Sequence, residues 1–214
     1  MRIKKMAKVI ALSNQKGGVG KTTTAMNLAT CLAAYGKRVL VVDFDPQGNT
    51  TTGFNVDKTN NEANAYSLVM EDCSLMKAIH KTSVPNLDVV PSTIHLSGAE
   101  VELVPVMARE KRLKEALSTA GDLYDYIFID CPPSLGLLTL NALTAADEVL
   151  IPMQCEFFAM EGLSQLFQTI ELVKRNLNPN IHVSGVLLTM YDRRNKLSSQ
   201  VESEVRTHLG DKVY

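Results

Sequence analysis

Short apolar runs rich in β-branched residues alternate along the chain with longer stretches of helical period. Lys8-Val9-Ile10-Ala11-Leu12, Arg38-Val39-Leu40-Val41-Val42, Leu87-Asp88-Val89-Val90, Tyr126-Ile127-Phe128-Ile129, Glu148-Val149-Leu150-Ile151 and Val183-Ser184-Gly185-Val186-Leu187-Leu188 read as strands. Most are apolar on both faces, as strands covered by helices on each side should be. Helices are expected near 21–35, 66–79, 98–118, 137–145, 160–177 and 197–209. Gly36 and Gly210 fall where helices should stop, because glycine tolerates the left-handed C-cap. Pro105 should kink or split the helix it interrupts. Strand–helix alternation implies right-handed βαβ crossovers, hence an α/β fold with a doubly wound, mostly parallel sheet flanked by helices. The polar stretch from Asp57 to Asn64 reads as a surface loop, and with no repeat or interdomain linker in view, residues 1–214 are expected to form one domain.

Composition narrows the class without naming it. The 214 residues, 45% hydrophobic and 21% charged, suit a single packed soluble domain. A balance of 22 Lys+Arg against 23 Asp+Glu gives a net charge of −1. That excludes a strongly basic nucleic-acid coat and leaves room for a local basic patch. Cys31, Cys73, Cys131 and Cys155 lie far apart and form no C-x-x-C pair. Neither a zinc site nor a secreted disulfide framework is expected, so a cytoplasmic location is the default. Arg2, Lys4, Lys5 and Lys8 make a basic start, but the apolar run Val9–Leu12 is too short for a signal segment or a membrane span. Asn49-Thr50-Thr51 matches a glycosylation sequon, which has no meaning in a cytosolic chain.

The most informative segment is Asn14-Gln15-Lys16-Gly17-Gly18-Val19-Gly20-Lys21-Thr22-Thr23-Thr24, which follows a strand and opens a helix. Glycines let successive backbone N–H groups converge on phosphate oxygens, and the helix N-terminus adds partial positive charge. Lys21 is placed to reach the β/γ-phosphates and the Thr22 hydroxyl to ligate Mg²⁺. The common G-x-x-x-x-G-K-[ST] pattern is broken at its first glycine position, which holds Gln15 and is followed by Lys16. Two carboxylate clusters end later strands: Asp43-Phe44-Asp45-Pro46-Gln47-Gly48-Asn49 and Asp130-Cys131-Pro132-Pro133-Ser134. A single aspartate after a strand is usually a turn former. Open parallel sheets, however, bind ligands at the carboxyl ends of their strands, so three such ends together make Asp45 a candidate water-positioning group and Asp130 a candidate metal support. Cys131, beside them, reads as a small buried hydrophobe rather than a nucleophile.

At these residues the sequence resembles the ParA/MinD superfamily of deviant Walker A ATPases, and within it the small Soj-like ParA branch. The likeness is carried by Lys16–Thr23, Asp43–Asn49 and Asp130–Pro133, and continues through Pro152–Gly162 and Gly185–Asp192. The resemblance implies an ATP hydrolase that closes an ATP-sandwich homodimer, binds DNA non-specifically and is released by hydrolysis. Its implied partner is a ParB-like (Spo0J-like) centromere-binding protein, and the ATP state would be nucleoid-associated. Lys16, Lys21 and Asp45 become the catalytic candidates. Lys16, Gly17, Gly18, Val19, Gly20, Lys21, Thr22 and Thr23 become nucleotide ligands, with Lys16 reaching the partner's nucleotide and Met190 near the base. Thr22 and Asp130 become the Mg²⁺ residues, Asp130 either directly or through water. Arg193 and Arg194, with Lys196 nearby, form the basic cluster implied for DNA.

The alternative is a MinD-like positioning ATPase acting at a membrane or another cargo. MinD-like proteins end in a basic amphipathic membrane helix, and Leu197, Val201, Val205 and Leu209 do form an apolar stripe. Glu202 and Glu204 beside Arg206 suit a core-facing helix better, so no membrane is expected. Nitrogenase iron proteins need cluster cysteines in glycine-rich contexts, which neither Cys31 nor Cys131 occupies. Larger ParA proteins carry an N-terminal helix-turn-helix domain, whereas 15 residues precede Lys16 here. Soj-like proteins usually continue past a segment like Asp211-Lys212-Val213-Tyr214 with an adenine loop, a further DNA-contacting arginine and a last helix. The domain is therefore expected to lack its usual C-terminal end.

Overall fold

A computed structural model describes residues 7–58 and 62–214. Arg2, Lys4 and Lys5 of the basic start, and residues 59–61 of the polar stretch, lie outside the described residues. The chain order begins β1 (Lys8–Leu12), α1 (Lys21–Ala34), β2 (Val39–Asp43), α2 (Asn49–Gly53), α3 (Ala65–Val69), α4 (Leu75–Ala78), β3 (His80–Lys81) and β4 (Leu87–Val90). It continues with α5 (Leu96–Glu102), a 3-10 turn at Arg109–Lys111, α6 (Arg112–Ser118), β5 (Tyr126–Asp130), α7 (Leu137–Ala145) and β6 (Glu148–Gln154). Then come α8 (Ala159–Asn176), β7 (His182–Thr189), α9 (Lys196–Leu209) and a 3-10 turn at Gly210–Lys212.

The described strands form one sheet in the order β3-β4-β2-β5-β1-β6-β7. Neighbours run parallel except for the β3–β4 edge pair, so the doubly wound α/β expectation holds. β2 and β5 lie on one side of β1 and β6 on the other, which opens a crevice beyond the carboxyl end of β1. Strand β2 shows why the apolar runs are unbroken. Val39 and Val41 pack with Leu12, Ala25, Ala29 and Phe128, whereas Leu40 and Val42 join a second cluster with Phe44, Ile127 and Ile129. These four apolar β2 side chains are fully buried, each worth about 1.5–3 kcal/mol of transfer free energy. Ala25, Ala29 and Ala33 line one face of α1, and their small side chains let that helix approach the sheet closely.

Several boundaries differ from the pattern-based reading. The helix expected over 66–79 is two helices, because Glu71 takes a left-handed φ of 65° after α3 and α4 restarts beyond Ser74. The stretch 98–118 is split as Pro105 implied, into α5, the 3-10 turn and α6. β3 is too short to show a period, and α2 is a five-residue helix with three consecutive threonines, residues whose intrinsic helix propensity is low. Within α2, Thr50 and Thr51 are fully buried, so the sequon match lies in packed structure. In α9, Val201 and Val205 are buried while Leu197 and Leu209 pack against the core, so the apolar stripe faces inward as expected. Among the described residues no helix is long and apolar enough to cross a membrane.

Candidate nucleotide site

Parallel register places Leu12, Asp130 and Asp43 in one row across β1, β5 and β2. Adjacent strands stand about 4.8 Å apart, so the start of the glycine-rich loop lies beside one carboxylate, with the second one strand further on. The loop is tied down from several directions. Asn14 donates through Nδ2 to the Pro152 carbonyl at 2.8 Å, and its Oδ1 accepts the Lys16 N–H at 3.0 Å. Thr189, at the end of β7, donates its hydroxyl to the Val19 carbonyl at 2.8 Å. Gly20 precedes α1 with φ 88°, and a Cβ there would also meet Thr189 Cγ2 at 3.4 Å. The left-handed φ is what calls for glycine, since that contact is an ordinary van der Waals one. No side chain caps α1, which leaves its first N–H groups and positive dipole end facing the loop.

Lys21 is buried, and its Nζ donates to the carbonyls of Asn14 and Lys16, both at 3.0 Å. Burial lowers its pKa, while Asp130 and Asp45 pull the other way. A buried ammonium held by neutral carbonyls retains an unsatisfied need for negative charge, which a phosphate supplies. Asp130 is buried as well. Its Oδ2 accepts from Thr22 Oγ1 at 2.8 Å and Thr50 Oγ1 at 2.7 Å, and its Oδ1 is buried with no hydrogen-bond partner among the described residues. Burial raises the Asp130 pKa, and the two threonine hydroxyls oppose that rise.

Asp43 is fully buried, and burial pushes its carboxyl up to about 7, with Asp130 adding to the shift. Its Oδ2 accepts from the Thr51 N–H at 2.7 Å and the Thr51 hydroxyl at 2.6 Å. Asp45 sits on the turn beyond, half-buried, accepting the Gln47 N–H at 2.9 Å. Cys131 is fully buried and burial pushes its thiol up, which keeps it protonated and inert, as expected. Four contributors escaped the pattern-based reading as site residues: Asn14, Thr50, Thr51 and Glu156. The threonines belong to α2, which the sequence pattern did not reveal. Asn14 and Glu156 lay in quoted motifs, but their partners, Pro152 and Lys16, sit well over a hundred residues away.

The loop residues Lys16–Thr23, Asp45 and Asp130 thus converge on one edge of the sheet. Lys16 forms an ion pair with Glu156, and both side chains are half-exposed. Met190 follows Thr189 directly, exposed and with a left-handed φ of 49°. Arg193 and Arg194 lie between β7 and α9, as the sequence placed them. Arg194 is not a free cation, however. Its Nε and Nη2 donate to Asp192 at 3.0 and 2.9 Å, so the basic cluster carries its own counter-ion.

Thr51 also binds the site to the rest of the fold, because its hydroxyl accepts the Ser92 N–H at 2.9 Å while donating to Asp43. Thr51→Val keeps the shape and removes both bonds, leaving a buried donor and a buried carboxyl short of partners. It should destabilise the protein by about 2 kcal/mol in urea unfolding, within the usual cost of unsatisfied buried groups. Thr52→Val, at an exposed position on the same helix, should change stability by less than about 0.5 kcal/mol.

A strand running into a pinned glycine-rich loop, a helix N-terminus open to that loop, and a buried lysine beside a buried aspartate together define a P-loop nucleotide-binding protein. Residues 7–183 match the AAA domain family (AAA_31). The sporulation initiation inhibitor protein Soj of Bacillus subtilis (strain 168) is 57% identical over 209 residues, 98% of this chain and 83% of Soj. The chromosome partitioning protein ParA of Caulobacter vibrioides (strain NA1000 / CB15N) is 54% identical, over 97% of this chain and 78% of that protein. Among solved structures, cobyrinic acid a,c-diamide synthase from Mycobacterium smegmatis with bound ADP and magnesium matches with a TM-score of 0.90 at 40% identity, over 96% of this chain and 83% of that one. The chain belongs to the ParA/Soj family of deviant Walker A ATPases.

Proposed function

We propose that this protein is an ATP hydrolase of the DNA-partitioning kind, built as a single ParA-like domain. ATP closes a sandwich homodimer, the dimer binds DNA without sequence preference, and hydrolysis releases it. The observation that carries this reading is a buried Lys21 held only by carbonyls, together with a buried Asp130 that accepts the Thr22 hydroxyl through one carboxylate oxygen and leaves the other without a hydrogen-bond partner among the described residues. Lys21, the Gly17–Gly20 backbone and Thr23 hold the phosphates, and Met190 lies toward the adenine. An orphaned carboxylate oxygen beside a hydroxyl is the hard oxygen donor set that magnesium favours. Thr22 and Asp130, the latter through a water, are the residues that would hold Mg²⁺, which when bound offsets phosphate charge. Asp45, on its turn at the rim, orients the attacking water. Lys16 exchanges Glu156 for the partner's phosphates. The names of Soj and ParA, at 57% and 54% identity, support a partitioning role. The ADP and magnesium in the diamide synthase structure support the nucleotide chemistry. A ParB-like centromere-binding protein stimulates hydrolysis in this scheme, which runs in the cytoplasm with the ATP state on the nucleoid.

DNA binding is the part of the scheme to which overall charge contributes least, since the net charge is −1. A dimer brings two copies of Arg193, Arg194 and Lys196 onto one face and so doubles the phosphate contacts. Each neutralised phosphate adds roughly 0.9 to the slope of log affinity against log salt. Binding to arbitrary duplex DNA should therefore need ATP and weaken steeply with salt. Arg194→Glu should abolish it while ATP-dependent dimerisation persists. DNA retention across a salt series, with dimerisation measured on the same samples, checks this. Unchanged affinity and slope would return Arg194 to the role its Asp192 contact already gives it, that of ordering a solvated loop.

A further inference from the structure

The connection from β6 to α8 carries an apolar feature that the nucleotide chemistry does not use. Phe157 and Phe158 are 74% and 72% exposed, their rings packed edge-on with centroids 5.0 Å apart. Two adjacent phenylalanines standing in water mark a contact surface rather than an isolated exposed side chain. Their place is fixed by the site itself. Glu156, immediately before them, is paired with Lys16 of the phosphate loop. The end of β6 is also in register with Thr189, whose hydroxyl holds the Val19 carbonyl. The aromatic pair therefore extends the loop's own face at the carboxyl edge of the sheet.

We propose that Phe157 and Phe158 are the apolar anchor of a two-fold contact with a second copy of this chain. The proposal rests on the sandwich-dimer reading and deepens it. For Lys16 to reach a partner's nucleotide, the two loop faces must meet, and a two-fold axis presents the same patch from both subunits. Groups attached next to the Lys16 counter-ion are carried to that joint with Lys16. Charged side chains alone make a poor joint, because the affinity of an interface comes from a few desolvated aromatic anchors inside a polar rim. Here the anchors are the two rings, and Lys16, Glu156 and exposed Glu161 supply the rim. A bilayer is the less suitable occupant, since Glu156 and Glu161 flank the rings and anionic headgroups attract basic residues instead.

The test is sedimentation of the full chain with a non-hydrolysable ATP analogue, comparing wild type with the double variant Phe157→Ser/Phe158→Ser. The double variant should raise the dimer dissociation constant by about 30-fold or more, the scale of losing an interface hot spot. Binding of a fluorescent ATP analogue to the monomer and the thermal melting curve should not change, and Phe157→Leu/Phe158→Leu should recover most of the dimer. A wild-type dimer indifferent to the serine substitutions overturns this proposal alone, as does parallel loss of monomer nucleotide binding. Wild-type binding to phosphatidylglycerol vesicles that the serines abolish without affecting dimerisation also overturns it, in favour of a lipid surface. A wild-type chain that stays monomeric with nucleotide overturns the dimer reading and this proposal together.

Discussion

Lys21→Ala is expected to abolish ATP hydrolysis, lowering the rate by about 10²-fold or more and weakening nucleotide-dependent assembly. The side chain is buried at the root of the loop with its ammonium already placed, held by the Asn14 and Lys16 carbonyls. A preorganised charge of this kind stabilises charge that develops on phosphate oxygens without reorganising as the reaction proceeds. Charge-assisted bonds to phosphate are also among the stronger hydrogen bonds, and here they form out of water. Alanine leaves the two carbonyls free to take water, so folding should survive while the anion site is lost. Phosphate release at saturating ATP, with a melting curve as control, measures the effect. Wild-type turnover in this variant would remove the phosphate-loop assignment altogether.

Asp45→Ala should separate binding from chemistry. Asp45 lies on a turn at the rim rather than in the buried row of Leu12, Asp130 and Asp43, so its loss leaves the loop and the threonine–Asp130 contacts in place. The variant should bind ATP, hydrolyse it at least about 10²-fold more slowly, in line with removal of a positioned catalytic group, and accumulate as dimer. Lys16→Ala should fail to form a stable dimer, because the charge proposed to cross to the partner's phosphates is gone. Light scattering with ATP distinguishes the two, and identical behaviour of both variants would refute the division of roles.

The layout of this site was legible in the sequence because its parts are backbone features announced by residue type. Glycines after a strand, lysine and threonine opening a helix, and aspartates at strand ends each leave a local mark, and the sheet topology aligns them. α2 left no such mark. Five residues with three threonines look like neither an amphipathic helix nor a strand, and the helix is held by tertiary bonds from Thr51 to Asp43 and Ser92. The consequence reached the site, since Thr50 and Thr51 are the hydroxyls that hold Asp130 and Asp43. The break at Glu71 was invisible for a related reason, as a glutamate with positive φ is set by its surroundings rather than by its propensity. Arg194 was placed correctly in its loop, but its pairing with Asp192 depends on the turn the backbone takes there.

The ion pair between Lys16 and Glu156 bears on how fast the proposed dimer can form. Both side chains are half in water, so solvent competes for each charge and the contact contributes no more than about 1 kcal/mol. Letting go requires only rotation about side-chain bonds, which for exposed residues takes nanoseconds or less. Docking of two protein patches is slower by many orders of magnitude at any ordinary concentration. The lysine is thus parked rather than locked. In the proposed sandwich dimer, the tempo of formation would be set by how often two nucleotide-loaded chains collide in the right orientation, and releasing Lys16 from Glu156 would add no measurable lag.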